Sequence, residues 1–167
     1  DLNENGDKII YLCIRRPDGY VGKPPELGTD VFGLGTRSGS SSNALSNVNV
    51  FTDFSIIKRY NNGGEYWAAN ARLMGKYTLQ TSSTDAEITG ALPTSGGIWD
   101  HMLGHLVAGS NGATNTGSDI IDYGWKRHAG FDVVCWDGNS TNNRVLNHSM
   151  NAVPQMIWYK RRDATDY

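Results

Sequence analysis

The sequence feature that most constrains the fold is an internal repeat. The stretch Gly6–Gly19 matches Gly117–Gly130 without a gap, 111 positions further along the chain, with an Ile-Ile pair, a basic pair and a closing glycine in register. A second match joins Phe54–Asn61 to Met156–Asp163 at an offset of 102. Because both matches run in the same order, the sequence predicts a repeating unit of roughly a hundred residues, which is the size of a β-domain rather than of a solenoid rung.

This period divides the 167 residues into three parts. Residues 33–130 are predicted to form one complete β-sandwich repeat, residues 1–32 the end of a preceding repeat, and residues 131–167 the start of a following one. The chain is therefore interpreted either as a piece of a tandemly repeated protein or as a swapped domain that completes itself across its two ends. A single compact domain is the remaining alternative, because the length is typical of one domain.

The composition favours strands and turns over helices. Twenty glycines, eight tyrosines and five tryptophans accompany many Ser, Thr and Asn residues, which is typical of an all-β sandwich or barrel. A formal net charge of −2 gives no basic field that would attract nucleic acid. No apolar run approaches the roughly 20 residues that a membrane-spanning helix needs, so we expect no membrane insertion.

Alternating patterns and turn signals predict the strands. The run Asp53–Arg59 is apolar on both faces and is predicted to be central in its sheet. In the copy near residue 120, the face formed by Ile121, Tyr123 and Trp125 is assigned to the core, because the equivalent face is also apolar in the first copy. Gly33–Asn47 is predicted to be a loop or linker. Further strands are predicted at residues 8–16, 66–69, 74–80, 105–108, 131–136, 144–149 and 155–162.

The two cysteines, Cys13 and Cys135, lie in strand-like runs at non-equivalent positions of the repeat. Buried free thiols are the favoured interpretation, because unpaired cysteine often serves as a small apolar residue. A disulfide between them stays open as the alternative.

Several ordered motifs resemble a known family. The segments Gly130–Thr141, Arg144–Ser149 and Val153–Asp163 carry GFDVVCWDGNST, RVLNHS and VPQMIWYKRRD. Together with Ile14–Pro24 and Tyr77–Thr81, they resemble a repeat found in virion proteins of tailed bacteriophages. The resemblance covers most of the chain, and its departures include Cys135-Trp136 and Met150-Asn151, where the family often carries Thr-Tyr and Leu-Gly.

The resemblance implies a fold and a role. It implies an antiparallel, concanavalin A-like jelly-roll sandwich in a tail-fibre, spike or decoration protein, located in the virion. Partners would be other virion subunits, including further copies of the chain (a trimer in a fibre or spike), and a host-surface glycan. The family brings no catalytic residues and no cofactor, and the chain is predicted not to be an enzyme.

Enzymatic alternatives find little support in the sequence. The four histidines are not accompanied by a nucleophile-elbow motif, and a catalytic triad defined only by geometry cannot be read from the chain. Two alternative functions stay open: a purely structural repeat with no ligand, and a polysaccharide-degrading glycoside hydrolase of jelly-roll type. The hydrolase needs two carboxylates flanking the scissile bond. The glutamates are instead scattered singly: Glu4, Glu26, Glu65 and Glu87.

Metal binding has two weak signals. His101 and His105 have the spacing of helical zinc ligands, but the glycines around them argue against a helix. The run Asp137–Thr141 has oxygen ligands at calcium-loop spacing but lacks the glycine and the glutamate that complete such a loop. An Asx-turn at this point is favoured, and no metal is predicted.

Carbohydrate binding is the functional prediction that the residues themselves favour. Sugar rings stack their apolar C–H faces on aromatic side chains, while neighbouring polar groups bind the hydroxyls. Trp99, in a glycine-rich stretch, is the first candidate. The full set of predicted ligand-binding residues is Trp99, His101, Tyr66, Trp136 and Asn139.

Overall fold

The computed structural model describes residues 27–61, 67–94, 96–109 and 119–163. Within these ranges the chain consists of strands and irregular connections, and its helical elements are two short 3-10 turns, Gly28–Asp30 and Arg72–Met74. The predicted all-β class is confirmed. No helix in the described ranges has the length and apolar character needed to cross a membrane.

Seven strands in the described residues form two antiparallel sheets. The five-stranded sheet has the order β1-β7-β3-β4-β5, and β2 and β6 form a two-stranded sheet. The strands are β1 (Phe32–Ser38), β2 (Ala44–Leu45), β3 (Phe54–Arg59), β4 (Ala68–Ala71), β5 (Thr78–Gln80), β6 (Leu106–Val107) and β7 (Asp119–Trp125).

Strand β3 is the centre of the larger sheet. It pairs with β7 on one side, with Phe54 opposite Trp125, and with β4 on the other, with Ile57 opposite Ala68. Ile57 is fully buried, as expected for a β-branched residue in a central strand. The predicted central strand and its returning partner are both confirmed. The predicted short strand near residues 105–108 is confirmed as β6, whereas the predicted strand 74–80 is reduced to β5 after a 3-10 turn.

A strip of glycines on one face of the sheet lets the chain pack directly on the backbone. Gly33 and Gly35 of β1 and Gly124 of β7 all face this side. A Cβ atom on Gly33 would overlap the carbonyl of Val48, and one on Gly124 would lie 2.5 Å from the Cγ2 atom of the same valine. Residues 46–52 therefore cover the glycine strip at a distance that no side chain would allow.

The hydrophobic core lies on this covered face, which we call the inner face. Its fully buried cluster is Ile57, Ala68, Ala91, Val107 and Ile120. Because Val107 belongs to β6, the two-stranded sheet packs against the inner face of the larger one.

The predicted orientation of β7 is wrong. The pattern predicts Ile121, Tyr123 and Trp125 in the core, but they lie half-buried on the outer face of the sheet. The opposite face, with Asp122 and Gly124, is the buried one. The reason is steric. Residues 46–52 can approach the sheet closely only on the face where Gly124 replaces a side chain. Steric space rather than hydrophobicity therefore determines the orientation of β7.

The predicted loop Gly33–Asn47 is also wrong, because it contains β1 and β2. Its Gly and Ser residues suggest a linker, but β1 makes seven paired positions with β7, from Phe32 opposite Trp125 to Ser38 opposite Asp119. A long-range pairing partner outweighs local propensity here.

Strands predicted at residues 131–136, 144–149 and 155–162 are absent from the described structure. A strand exists only as a member of a ladder, and the described residues give this segment no partner strand. All seven strands lie between residues 32 and 125. The repeat boundaries at residues 32, 130 and 167 stay a prediction, and the predicted strand 8–16 lies outside the described residues.

The glycine strip gives a stability prediction. Gly33→Ala forces a Cβ atom into the Val48 carbonyl, so we expect it to destabilise the protein by about 1–3 kcal/mol, the usual cost of overpacking. Gly28→Ala is the matched control, because nothing lies within 4 Å of a Cβ atom there, and it should be neutral or slightly stabilising. Urea unfolding of the two variants measures this. Equal stability of both would contradict the proposed close packing.

Candidate functional site

The outer face of the five-stranded sheet carries a group of aromatic side chains. Strand alternation places them there, because every second residue of β1, β3 and β7 points away from the core. Trp67, just before β4, and Phe131, after β7, extend the group at its ends. We call this the aromatic face, formed by Phe32, Phe54, Trp67, Tyr123, Trp125 and Phe131.

The rings of the aromatic face contact one another across the strands. Trp125 lies at the centre, with its ring centroid 5.0 Å from that of Phe32, 5.6 Å from Phe54 and 6.1 Å from Phe131. Tyr123 lies 6.2 Å from Trp67. Each such pair contributes about 0.5–1.5 kcal/mol beyond the area that it buries, so the rings are held in fixed orientations.

The aromatic face is partly open to solvent. Phe32 and Trp67 keep 37% and 38% of their surfaces exposed, and Leu34 beside them keeps 50%. The Nζ atom of Lys58 lies 5.8 Å from the centroid of the Trp67 ring. At one end, the Asn61 amide donates to the Asp119 carboxylate at 3.3 Å. Fixed rings bordered by polar groups can stack against the apolar face of a ligand and bind its hydroxyls at the edge.

A network of buried polar side chains also lies on the inner face of the sheet, beside the hydrophobic core. The His105 ring is fully buried and lies between two hydroxyls, with Nδ1 3.2 Å from Ser46 Oγ and Nε2 3.2 Å from Ser55 Oγ. The network continues through Asn70, which donates to Ser55 Oγ at 3.3 Å and accepts from Thr78 Oγ1 at 2.6 Å. These groups satisfy one another, which is the condition for polar side chains in a core.

Burial sets the charge states in this network. Desolvation, aided by the positive charge of Arg37, lowers the pKa of His105 to about 3, so the ring is neutral at physiological pH. Desolvation also raises the pKa of Asp122 well above 3.8, against the opposing attraction of Arg37. The Asp122 Oδ2 atom lies 3.9 Å from His105 Nε2.

Serine, histidine and aspartate side chains thus come together without forming a catalytic triad. In a triad the aspartate orients the ring nitrogen opposite to the one that activates the serine. Here Ser55 shares Nε2 with Asp122, which excludes Ser55, and although Ser46 contacts the opposite nitrogen, Nδ1, the Asp122 carboxylate lies 3.9 Å from Nε2, too far to orient the ring by a hydrogen bond. Both serines are buried, so no substrate reaches them. The network belongs to the core, and it is not apparent in the sequence because its hydrogen-bonded partners are up to 59 positions apart.

The first candidate from the sequence, Trp99, lies in the core rather than in an open loop. It is 6% exposed, stacks on His105 with a centroid distance of 4.9 Å, and donates from Nε1 to the Gly75 carbonyl at 2.9 Å. Its ring has no open face for a ligand. His101 is half-buried and pairs with Gly104 in an isolated β-bridge.

The other sequence candidates lie apart from the aromatic face. Trp136 is 48% exposed, and Asn139 is exposed in the irregular segment that follows it. The Asn139 side chain accepts from the Thr141 backbone N–H at 3.2 Å, which confirms the predicted Asx-turn. Tyr66 and Cys13 lie outside the described residues. Within the described ranges, no group of three or more His, Cys, Asp or Glu residues is placed to hold a metal ion.

Asp132 fastens the segment after β7 to the rest of the chain. Its carboxylate pairs with Arg127 and accepts hydrogen bonds from the Ser149 backbone N–H at 2.6 Å and hydroxyl at 2.9 Å. Burial acts to raise the pKa of Asp132, but these hydrogen bonds outweigh it and hold the pKa below 3.8. The residues border a shallow cleft of about 340 Å³ that also contains Cys135, a free and half-buried thiol rather than the fully buried one expected.

Comparisons with protein-family models, with curated proteins and with solved structures found no match.

The lowered pKa of the buried His105 ring predicts that the folded protein loses stability in acid. The folded-state pKa lies below the unfolded value of 6.5, so the unfolded chain binds the extra proton and stability falls as pH drops from 6.5 towards 3. This pKa shift corresponds to a decrease of at most roughly 4–5 kcal/mol in the free energy of unfolding. His105→Gln removes the titrating group, so its stability should fall less over this range. Urea unfolding at pH 7.5 and pH 4.5 tests this, and parallel losses in both proteins would refute it.

The contacts of Asp132 predict a local effect. Asp132→Ala leaves the Arg127 guanidinium and the Ser149 N–H without this acceptor, so we expect a loss of about 1–3 kcal/mol and faster proteolysis within residues 131–149. Asp137→Ala is the control, because it lies in the same segment and is exposed. Limited proteolysis followed by mass spectrometry locates the cleavage sites. Identical cleavage patterns would show that Asp132 does not hold the segment.

Proposed function

We propose that this chain is a non-catalytic module of a tailed-bacteriophage virion protein of the tail-fibre, spike or decoration type. The module attaches to a glycan-bearing surface through the aromatic face. The virion assignment rests on the ordered motifs between Gly130 and Asp163, and it carries with it the expectation of other virion subunits as partners. The five-stranded sheet and the β2-β6 sheet packed on its inner face are the two layers of the proposed jelly-roll-like sandwich.

One observation carries the binding proposal: an open sheet face whose side chains are aromatic. Large apolar side chains on a solvated sheet face cost solubility and are retained where they contact something. Trp67 and Phe32 are anchored by neighbouring rings yet keep more than a third of their surfaces free. Rings fixed in this way lose little conformational entropy when a ligand binds.

The polar border favours a sugar as the ligand. Thr36 and Ser38 are the exposed outer residues at the far end of β1, and Asp119 and Asn61 lie at the same end of the neighbouring strands. Hydroxyl, amide and carboxylate groups beside aromatic rings match the alternation of C–H faces and hydroxyl edges on a polysaccharide.

Matched tryptophan variants test the proposal. Trp67→Ala removes a ring from the aromatic face, and Trp136→Ala removes a ring of similar exposure that lies away from it. Binding is measured on immobilised bacterial lipopolysaccharides and capsular polysaccharides. We expect Trp67→Ala to weaken binding about tenfold or more, as for a central aromatic contact, and Trp136→Ala to leave it unchanged.

The opposite pattern, a loss with Trp136→Ala alone, would move the binding site to the one predicted from the sequence. Release of reducing sugar from the same polysaccharides would favour the glycoside hydrolase instead. Unfolding curves of both variants must match that of the parent chain, so that a loss of binding is not a loss of fold.

A further inference from the structure

Three buried polar side chains of the inner face lie opposite one another across neighbouring strands. Thr78 of β5 pairs in register with Asn70 of β4, and Asn70 pairs with Ser55 of β3. All three are fully buried, and each is hydrogen-bonded to the next. The His105 ring extends this row away from the sheet through its contact with Ser55. Each bond in the row has a direction, which the neighbouring groups determine.

The Asn70 amide sets the direction of the row. Its Nδ2 atom donates to the Ala68 carbonyl at 3.2 Å, and turning the amide around would place two oxygen atoms against each other. Nδ2 therefore also donates to Ser55 Oγ at 3.3 Å, while Oδ1 accepts from Thr78 Oγ1 at 2.6 Å. Among the contacts of Ser55 in the described structure, the acceptor left for its hydroxyl hydrogen is Nε2 of His105 at 3.2 Å.

The direction of the row determines which nitrogen of the His105 ring carries the proton. A neutral imidazole has one N–H donor and one accepting nitrogen, and burial keeps this ring neutral at physiological pH by lowering its pKa to about 3. Nε2 accepts from Ser55, so the proton lies on Nδ1, which donates to Ser46 Oγ at 3.2 Å. Ser46 Oγ also accepts from the backbone N–H of His105 at 3.1 Å, and this second bond fixes the hydroxyl oxygen beside the ring.

Ser46 belongs to residues 46–52, the covering segment that packs on the glycine strip. Backbone hydrogen bonds join this segment to the connection before β6. The Ser46 N–H donates to the His105 carbonyl at 2.9 Å, and the Asn49 N–H donates to the Leu103 carbonyl at 3.0 Å. The hydrogen bond from β3 to the His105 ring then connects both segments to the central strand.

We propose that this row is a one-way hydrogen-bond chain that holds His105 as its Nδ1–H tautomer and latches the covering segment to β3. Its members, in the order in which each donates to the next, are Thr78, Asn70, Ser55, His105 and Ser46. The position of each proton follows from the group before it. The chain is a conformational device of the core, and it depends neither on the aromatic face nor on a glycan.

The nearby carboxyl group of Asp122 offers the alternative arrangement. Asp122 Oδ2 lies 3.9 Å from Nε2 of His105, which is beyond hydrogen-bond distance. If this contact determined the tautomer, the proton would lie on Nε2, and Ser55 would have to accept rather than donate. The two arrangements place the proton on opposite nitrogens, so the tautomer itself distinguishes them.

Nitrogen NMR of the imidazole ring tests the chain. The full 167-residue protein is prepared with isotope-labelled histidine, and long-range proton–nitrogen spectra are recorded at pH 7.5. The His105 signals are those that disappear in His105→Gln. We expect a protonated, pyrrole-like shift for Nδ1 and an unprotonated, pyridine-like shift for Nε2. The reverse pattern, or the averaged shifts of a ring that exchanges between tautomers, would overturn the proposal.

Matched hydroxyl variants test which bond sets the tautomer. Ser55→Ala removes the donor to Nε2, so we expect the fraction of the Nε2–H tautomer to rise about five- to tenfold, the factor that one hydrogen bond is worth. Thr52→Val is the control, because it removes another buried hydroxyl of the covering segment, one that donates to the Val50 carbonyl. It should leave the ring shifts of His105 unchanged. Equal shifts in Ser55→Ala and the parent chain would overturn the direction assigned to the chain.

Amide hydrogen exchange tests the latch in the same Ser55→Ala protein. We expect the amides of Ser46 and Asn49 to exchange about five- to tenfold faster, because the covering segment opens more often. The Tyr60 amide, which is bonded to the Asp119 carbonyl at the far end of β3, should keep its rate. Unchanged rates at Ser46 and Asn49, or an equal rise at Tyr60, would overturn the latch. The tautomer measurement on the parent chain is independent of how well Ser55→Ala folds.

Discussion

The close approach of residues 46–52 to the backbone of β1 and β7 determines the rest of the architecture. Gly33, Gly35 and Gly124 leave no side chain between this segment and the sheet, and Val48 is buried as a result. At the three glycine positions the covered face has no room for a side chain, and the neighbouring aromatic rings Phe32, Tyr123 and Trp125 lie on the other face. The aromatic face and the glycine strip are thus two sides of the same strands.

The buried polar network has a complementary role. A core of small and polar residues contributes less hydrophobic free energy than one built from leucine and phenylalanine. His105, Ser46 and Ser55 link the covering segment, the connection before β6 and the central strand through directional hydrogen bonds, which fix one arrangement of these layers. The neutral ring is suited to this, because it accepts and donates without requiring a buried counter-charge.

Much of the fold was predictable from the sequence, and the exceptions share one cause. Local patterns predict the central strand β3, its return in β4 and strand β6. In β3 the signal is a pair of β-branched residues, and for β4 it is the Asn-Asn-Gly-Gly turn sequence that precedes the strand. Local patterns do not predict the orientation of β7, the strand at Phe32–Ser38 or the burial of Trp99. Each depends on a partner distant in sequence: the glycine strip and Val48, the pairing of β1 with β7, and the hydrogen bond from Trp99 to the Gly75 carbonyl. The aromatic face is not apparent from the sequence for the same reason, since its rings come from five separate places in the chain.

The orientation of this sheet separates two kinds of evolutionary change. Residues that determine whether the chain folds lie on one side of the strands, where the glycines and the hydroxyl–imidazole contacts tolerate few replacements. Rings such as Phe32 and Trp67 lie on the other side and keep more than a third of their surfaces exposed, so a change there alters the surface and removes contacts with neighbouring rings but none with the buried layer. Under the proposed function, replacing single rings would change the contacts with the glycan while the scaffold stays constant.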